Sequence, residues 1–196
     1  MRRPRFLSRS QRGAPSAAGS APPFDQQRRA ERRAIAVEHG WGFAPEHQRA
    51  IQGWPRTALP PGPLGRVHNE VTGRHQRRPF RMFDYVHRSG TDGQWQILPV
   101  WTVALPAHMP YLEITENDGG SDIYAESPEP HFALELLSEA VSAAISRHGF
   151  RRIIIDENEL ICTGADGGPE GIEAKLTALN DVVDQVPVAA WARWAR

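Results

Sequence analysis

The stretches that decide the fold are FALELLSEAVSAAISR (132–147), IIIDENELIC (153–162) and PEGIEAKLTALNDVVDQV (169–186). In the first, Glu135, Ser138, Glu139, Ser142 and Ser146 fall on one stripe, and Phe132, Leu134, Leu136, Leu137, Ala140, Val141 and Ile145 cover the rest. So wide an apolar face predicts a deeply buried helix, which Gly149 ends. In the second, two apolar triplets flank Asp156-Glu-Asn-Glu159, and Asn158 tolerates the left-handed backbone of a short turn, so a tight β-hairpin is expected. In the third, Pro169 suits a first helical position. Ile172, Leu176, Leu179, Val183 and Val186 then share one face, and Pro187 stops the helix. Helix, hairpin and helix together close an α+β domain.

Upstream lie strand patterns. Residues 65–72 and 79–87 are rich in β-formers and flank Gly73, which predicts a hairpin turning at that glycine. Residues 95–105 form a long β-type run whose Pro99 implies an edge position, a bulge or a break. Residues 111–115 read as a further short strand, and 116–130 as an acidic loop with a brief strand at Ile123 and Tyr124. From Trp41 to Gly65 the pattern is loop, with one helical turn near 46–52, and Pro60-Pro-Gly-Pro63 forbids regular structure there. Asp25 is a candidate N-cap for a helix that Gly40 stops at about His39. The expected architecture is therefore a mostly antiparallel sheet packed on two C-terminal amphipathic helices, plus an N-terminal helix. Residues 25–196 form the single domain, preceded by a basic tail at 1–24 with too little apolar surface to offset its ordering entropy.

The net charge of zero conceals an asymmetry. Residues 1–88 carry 17 arginines against 6 acids, a net of +11, and residues 89–187 carry 4 basic residues against 17 acids, a net of −13. Such a split orients a molecule in an external field or lets two copies attract head to tail. With 40% hydrophobic residues the chain has globular composition. One cysteine, Cys162, excludes an internal disulfide and a Cys-rich zinc site. No apolar run approaches the ~18 residues needed to span a bilayer. Phe6 and Leu7 alone follow Arg2, Arg3 and Arg5, which is short of the roughly 7–15 apolar residues of a signal-peptide core. A cytoplasmic location follows as the expectation, with a position peripheral to the membrane as its variant.

No catalytic constellation emerges, so no enzyme activity and no cofactor are expected. Gly164-Ala-Asp-Gly-Gly-Pro-Glu-Gly171 sits between strand and helix, but it lacks phosphate-loop spacing and carries two acids that would repel a phosphate, so a connecting loop is favoured. His68, His75, His87 and His108 lie near the predicted sheet without the spacing of a zinc site. The acids Glu113, Glu116, Asp118, Asp122, Glu126 and Glu129 do not follow an EF-hand pattern. Cys162 reads as a packed thiol, and Trp191 as packed on the domain. The predicted first helix carries Arg28, Arg29, Arg32 and Arg33 on its polar face, the candidate partner-binding residues.

Gly40-Trp41-Gly-Phe43-Ala-Pro45, Trp54-Pro55, Val71-Thr-Gly73, Arg78-Pro-Phe80, Phe83-Asp-Tyr85, Leu105-Pro106, Asn158-Glu-Leu160-Ile161 and Val186-Pro187 with Trp191 resemble an uncharacterised group of small actinobacterial proteins over about residues 34–194. More distantly, the order of elements is similar to a bacterial domain-of-unknown-function family often attached to transmembrane segments. The shared positions are aromatic, Gly and Pro, so the resemblance implies a common fold and supplies no catalytic residues. Three readings follow. The first is a non-enzymatic interaction module that takes an unidentified protein partner, or a peripheral membrane contact, through the basic helix at 25–39. The second is a small-ligand-binding or enzymatic pocket on the sheet face, gathering at least two of the four histidines beside Trp95 or Trp101. The third, disfavoured, is nucleic-acid binding through the Arg-rich segment at 1–33.

Overall fold

The computed structural model describes residues 25–47, 49–90, 93–117 and 122–196, so the basic tail expected at 1–24 lies outside the described residues. The elements in chain order are α1 (Gln26–Glu38), β1 (Gly42–Glu46), β2 (Arg66–His75), β3 (Arg78–Arg88), β4 (Trp95–Glu116), β5 (Ile123–Glu126), α2 (Pro130–Leu136), α3 (Glu139–His148), β6 (Arg152–Thr163), α4 (Ile172–Asp184) and α5 (Val188–Trp194). All six strands form one antiparallel sheet. It packs on a layer of C-terminal helices with α1 added, which is the α+β architecture expected.

The 22-residue β4 organises the sheet. Its residues 95–103 pair with β3, its residues 113–116 pair with β5, and β6 pairs along 100–115. Since β6 holds one edge of β4, β3 and β5 must share the other. The side chains alternate accordingly. On β3, Phe80 and Met82 enter the core beneath the helices, while Phe83 and Tyr85 enter a second core on the opposite face. That second face is covered by residues 49–64, whose Ala50, Ala58 and Leu59 are buried and whose Trp54 tilts onto Phe83 at 5.6 Å between ring centroids.

The expected hairpin at 153–162 is not present. Both apolar triplets belong to the single strand β6, and Glu157 takes the left-handed conformation, with φ +50°, in place of Asn158. Ile153 and Ile155 face the helices, and then Leu160 and Cys162 do, so the two-residue period slips by one across Glu157. Such a slip marks a bulge, which bends a strand and continues it. β4 slips in the same region, because its pairing with β6 jumps from Ala104↔Glu159 to Met109↔Glu157. The two runs at 95–105 and 111–115 are thus one bent strand. Pro99, opposite Asp84, sits one residue beyond the β6 ladder, which stops at Val100↔Thr163, and so occupies an edge on that side.

Other boundaries also move. The turn between β2 and β3 is made by Gln76 and Arg77, with φ +48° and +74°, the paired left-handed residues of a primed hairpin turn. Gly73 lies inside β2 because the Trp41 indole packs there, and a Cβ on Gly73 would come within 2.4 Å of Trp41 Cδ1. Residues 42–46, expected as loop, pair with β2 as β1. The helix expected at 132–147 is two helices, because Ser138 breaks the run and its side chain accepts from the Val141 N–H at 3.3 Å to cap α3. Gly171, rather than Pro169, precedes α4, and α5 follows Pro187. By contrast α1 starts and stops as expected, with Asp25 Oδ1 accepting from the Arg28 N–H at 2.9 Å.

Candidate functional site

The four arginines named on α1 turn toward the sheet. Arg28 donates through Nε and Nη2 to the two carboxylate oxygens of Asp84 at 2.8 and 2.7 Å, and Asn69 Nδ2 reaches the same carboxylate at 3.0 Å. Asp84 is 1% exposed. Arg29 donates to Asn69 Oδ1 at 3.1 Å and to the Pro45 carbonyl at 3.3 Å. Arg32 Nε is buried without a partner, and burial lowers the pKa of that guanidinium. Arg33 lies over the Phe43 ring at 5.2 Å. These contacts fasten α1 to β1, β2 and β3, and the outward side of the helix presents Ala30, Ala34 and Val37.

The histidines are dispersed. His68 faces Glu46 at 4.0 Å, His75 meets Thr177 at 2.9 Å, and His108 meets Glu157 at 3.0 Å on an exposed surface. His87 alone lines a hollow, of about 460 Å³, whose walls include Pro60, Pro61, Gln96, Arg152 and Asp166. Burial raises the Asp166 pKa against two bonds from Thr163, and His87 Nδ1 lies 3.2 Å from the Arg88 carbonyl. Trp95 sits under Arg88 at 4.9 Å and Trp101 under Lys175 at 5.1 Å. None of five hollows among the described residues brings two of the four histidines together, so none of them meets the geometry required of a histidine-lined pocket. Among the described residues, no group of three His, Cys, Asp or Glu is placed to hold a metal.

The Gly-rich segment after β6 is closed on itself. Asp166 accepts from the Thr163 N–H and hydroxyl at 2.8 and 2.7 Å, and Lys175 Nζ donates to the Gly167 carbonyl. Burial pushes the Cys162 thiol up to about 12. The thiolate is the reactive form, so an aromatic disulfide reagent at pH 8 is expected to leave Cys162 unlabelled in the native chain and to label it fully in urea. Rapid native labelling would show that the thiol is not packed as described.

The feature that sequence reasoning missed lies at the other end of β4. Between β5 and α2 runs an apolar groove of about 680 Å³, lined by Ile123, Tyr124, Ala125, Glu126, Ala133, Leu134 and Leu137 among others. Ile123 and Ala125 point into the core, whereas Tyr124 is 50% exposed and Leu134 77%. Among the described residues β5 pairs only with β4, so its outer backbone edge is open onto the groove. The floor is rigid. Ser127 Oγ donates to the Tyr111 carbonyl at 2.6 Å, and the Trp194 ring lies 5.6 Å from Phe132, with its Nε1 donating to Glu135 at 2.9 Å. Glu129 and Glu135 are taken by Arg196 and Arg193 at 3.3 and 2.6 Å. The signal was present in the sequence, since Leu134 belongs to a face too wide for one helix layer to cover, but burial was the simpler reading of it.

Fold and groove together define a class: an antiparallel sheet with a helix layer on one face and an open edge strand beside a helix. Neither a scan against protein-family models nor a search of curated proteins found a match. Among solved structures, the chain is similar to the mycobacterial trehalose monomycolate transport factor A, TtfA, at 12% identity and a TM-score of 0.58, over 82% of this chain and 93% of that one. At that identity the likeness shows a shared fold. No helix of the described residues is long and apolar enough to cross a membrane.

Proposed function

We propose that this domain is a non-enzymatic interaction module, which holds a protein partner in the β5–α2 groove as an accessory to a membrane transport assembly. The observation that carries the reading is the groove itself, an apolar channel between a helix and a sheet edge that pairs with no further strand among the described residues, with Tyr124 and Leu134 standing in solvent. An extended peptide binds such a site by adding a strand, with main-chain hydrogen bonds for affinity and side-chain pockets for specificity. The transport setting is taken from the role printed for the structural neighbour, and it brings the module to the membrane through its partner, in keeping with a peripheral cytoplasmic location. We also infer a place for the chain in the actinobacterial group that it resembles.

Leu134→Glu puts a charge into the apolar wall while leaving the core intact. In cells, crosslinked partner recovered with the full chain is expected to fall by about tenfold or more, the loss typical of a central apolar anchor. Arg33→Glu, on the far helix, is expected to change recovery little. Equal recovery with wild-type and Leu134→Glu chains, or loss only with Arg33→Glu, would move the interface to α1. A second reading is favoured by the His87 hollow, whose mixed polar and proline walls suit a small molecule. It would gain if His87→Ala abolished a metabolite-induced rise in Tm while Leu134→Glu left that rise unchanged.

A further inference from the structure

We infer that the segment taken by the β5–α2 groove is an extended stretch of a partner protein that alternates apolar with basic residues. Its apolar side chains lie on the α2 side of β5, and a lysine or arginine stands beside Glu126 on the other side. The inference rests on the groove being a strand-addition site, and it adds the chemistry of the segment which that site selects.

The two faces of β5 differ. Ile123 and Ala125 pack against the core beneath the helices, whereas Tyr124 and Glu126 are exposed. Tyr124 lies opposite Thr115 on β4, and Glu126 lies opposite Glu113. Residues directly opposite one another on neighbouring strands point to the same face. A strand added to the outer edge of β5, in either direction, therefore sends the residues opposite Ile123 and Ala125 toward the wall of Ala133, Leu134 and Leu137. Those residues must be apolar, because a charge against that wall would lose its water without gaining a partner. The residues between them come up beside Tyr124 and Glu126, so the segment alternates.

Charge selects what stands beside Glu126. Glu113 and Glu126 are directly opposite, a like-charge pair that destabilises a sheet. Glu113 is compensated, since Arg152 Nε and the Tyr111 hydroxyl donate to its two oxygens at 2.6 and 2.8 Å. Glu126 carries no ion pair among the described residues. Residues 89–146 contain no lysine or arginine, and Arg193 and Arg196 are held by Glu135 and Glu129. A lysine or arginine on the added strand supplies the missing counter-charge, whereas an aspartate or glutamate there would set three acids in one row across the sheet. An exposed ion pair adds little affinity, so charge discriminates between segments while main-chain bonds and apolar side chains hold them. The far edge of the sheet gives the contrast. β1 also has a single paired side among the described residues, but it contains Pro45, and Arg29 occupies the Pro45 carbonyl at 3.3 Å. Such devices keep an edge from taking a further strand, and β5 shows neither among the described residues.

Fluorescence anisotropy of three labelled eight-residue peptides against the full chain tests this. The first alternates valine with lysine, the second alternates valine with glutamate, and the third carries the valines and lysines of the first in two blocks. The first is expected to bind about tenfold or more tightly than either of the others, and to slow hydrogen exchange across residues 122–127. Glu126→Lys, at an exposed position that leaves the fold intact, is expected to weaken the valine–lysine peptide about fivefold and to strengthen the valine–glutamate peptide by a similar factor. Equal binding of the alternating and blocked lysine peptides would mean unspecific attraction to the acidic half of the chain, and would overturn the inference. An unchanged preference in Glu126→Lys would also overturn it, as would no binding of the first peptide. Slow exchange across 122–127 before any peptide is added would overturn it too, because the edge would already be covered by the chain itself or by a second copy. Failure of these peptides while Leu134→Glu still lowers partner recovery would leave the groove as the site and reject the basic alternating segment as its ligand.

Discussion

Gly167→Ala is expected to destabilise the protein by about 3 kcal/mol or more. Gly167 has φ +79° and ψ −156°, a region of backbone space that essentially only glycine occupies. A Cβ there would lie 2.3 Å from the Gly149 carbonyl oxygen, and the obstacle is main chain, which cannot rotate aside. Gly149 and Gly167 form a seam between the end of α3 and the start of the last loop. The Gly168 N–H donates to the Gly149 carbonyl at 2.8 Å, the Arg151 N–H donates to the Asp166 carbonyl at 2.6 Å, and Phe150 bridges to Gly167. Lys175 closes the seam from above by donating to the Gly167 carbonyl while its ammonium lies over the Phe150 ring at 5.4 Å. Pushing Gly167 outward therefore loosens α3, the start of β6 and α4 together. For a chain of this length, 3 kcal/mol corresponds to a fall in Tm of roughly 6–12 °C. Gly149→Ala is the internal control. It has left-handed φ but nothing within 4 Å of its Cβ, so strain of about 1 kcal/mol is all that should appear. Urea titration of the three proteins measures both, and equal losses at the two glycines would show that the seam is not as tight as described.

Arg28→Ala is expected to cost about 3 kcal/mol in the docking of α1. The Asp84 carboxylate is buried in the sheet beneath α1, and among the described residues Arg28 is its one cation in hydrogen-bond contact, through two short bonds; Asn69 supplies one more donor. Hydrogen bonding to Asp84 raises the Arg28 pKa, so the guanidinium stays charged throughout the accessible range. Truncating it strands a buried negative charge, and that penalty exceeds what the pair itself contributes. The decisive comparison is the double variant. Arg28→Ala/Asp84→Ala removes both charges and should recover part of the loss, because no orphan remains. Exchange of the α1 and β1 amides, rather than global unfolding, is the sensitive readout, since among the described residues α1 packs chiefly on β1 and β2 and reaches β3 at Asp84. A double variant less stable than Arg28→Ala would mean that Asp84 serves some other purpose.

The arginines of α1 illustrate how far local pattern reaches. Their placement on one stripe, the Asp25 cap and the Gly40 stop are all legible, because capping and helical period depend on neighbours within a turn. The destination of the stripe is not. A stripe of four arginines on a helix ordinarily faces water, and only the buried Asp84 and Asn69, about 40 to 56 residues away in sequence, make it an inward face. The groove behaves likewise. Leu134 is apolar on an apolar face, and nothing local reveals that α2 breaks from α3 at Ser138 and leaves Leu134 beside the open edge of β5.

IIIDENELIC carries the pattern of a hairpin and is one bulged strand, for a definite reason. Two apolar triplets with a polar tetrad between them satisfy a turn and a bulge equally well, since both interrupt a two-residue period. The choice belongs to β4, which is long enough to pair with both triplets and which slips its own phase opposite Glu157. The sequence by itself determined the Asp25 cap of α1, the Gly149 stop of α3, the core-facing stripe of α4 and the α+β class, because each is encoded in periodicity and short-range sterics. The tertiary structure alone decided strand continuity, the inward turn of Arg28 and the groove between β5 and α2. Each of these depends on which distant backbone or charge is present to complete it.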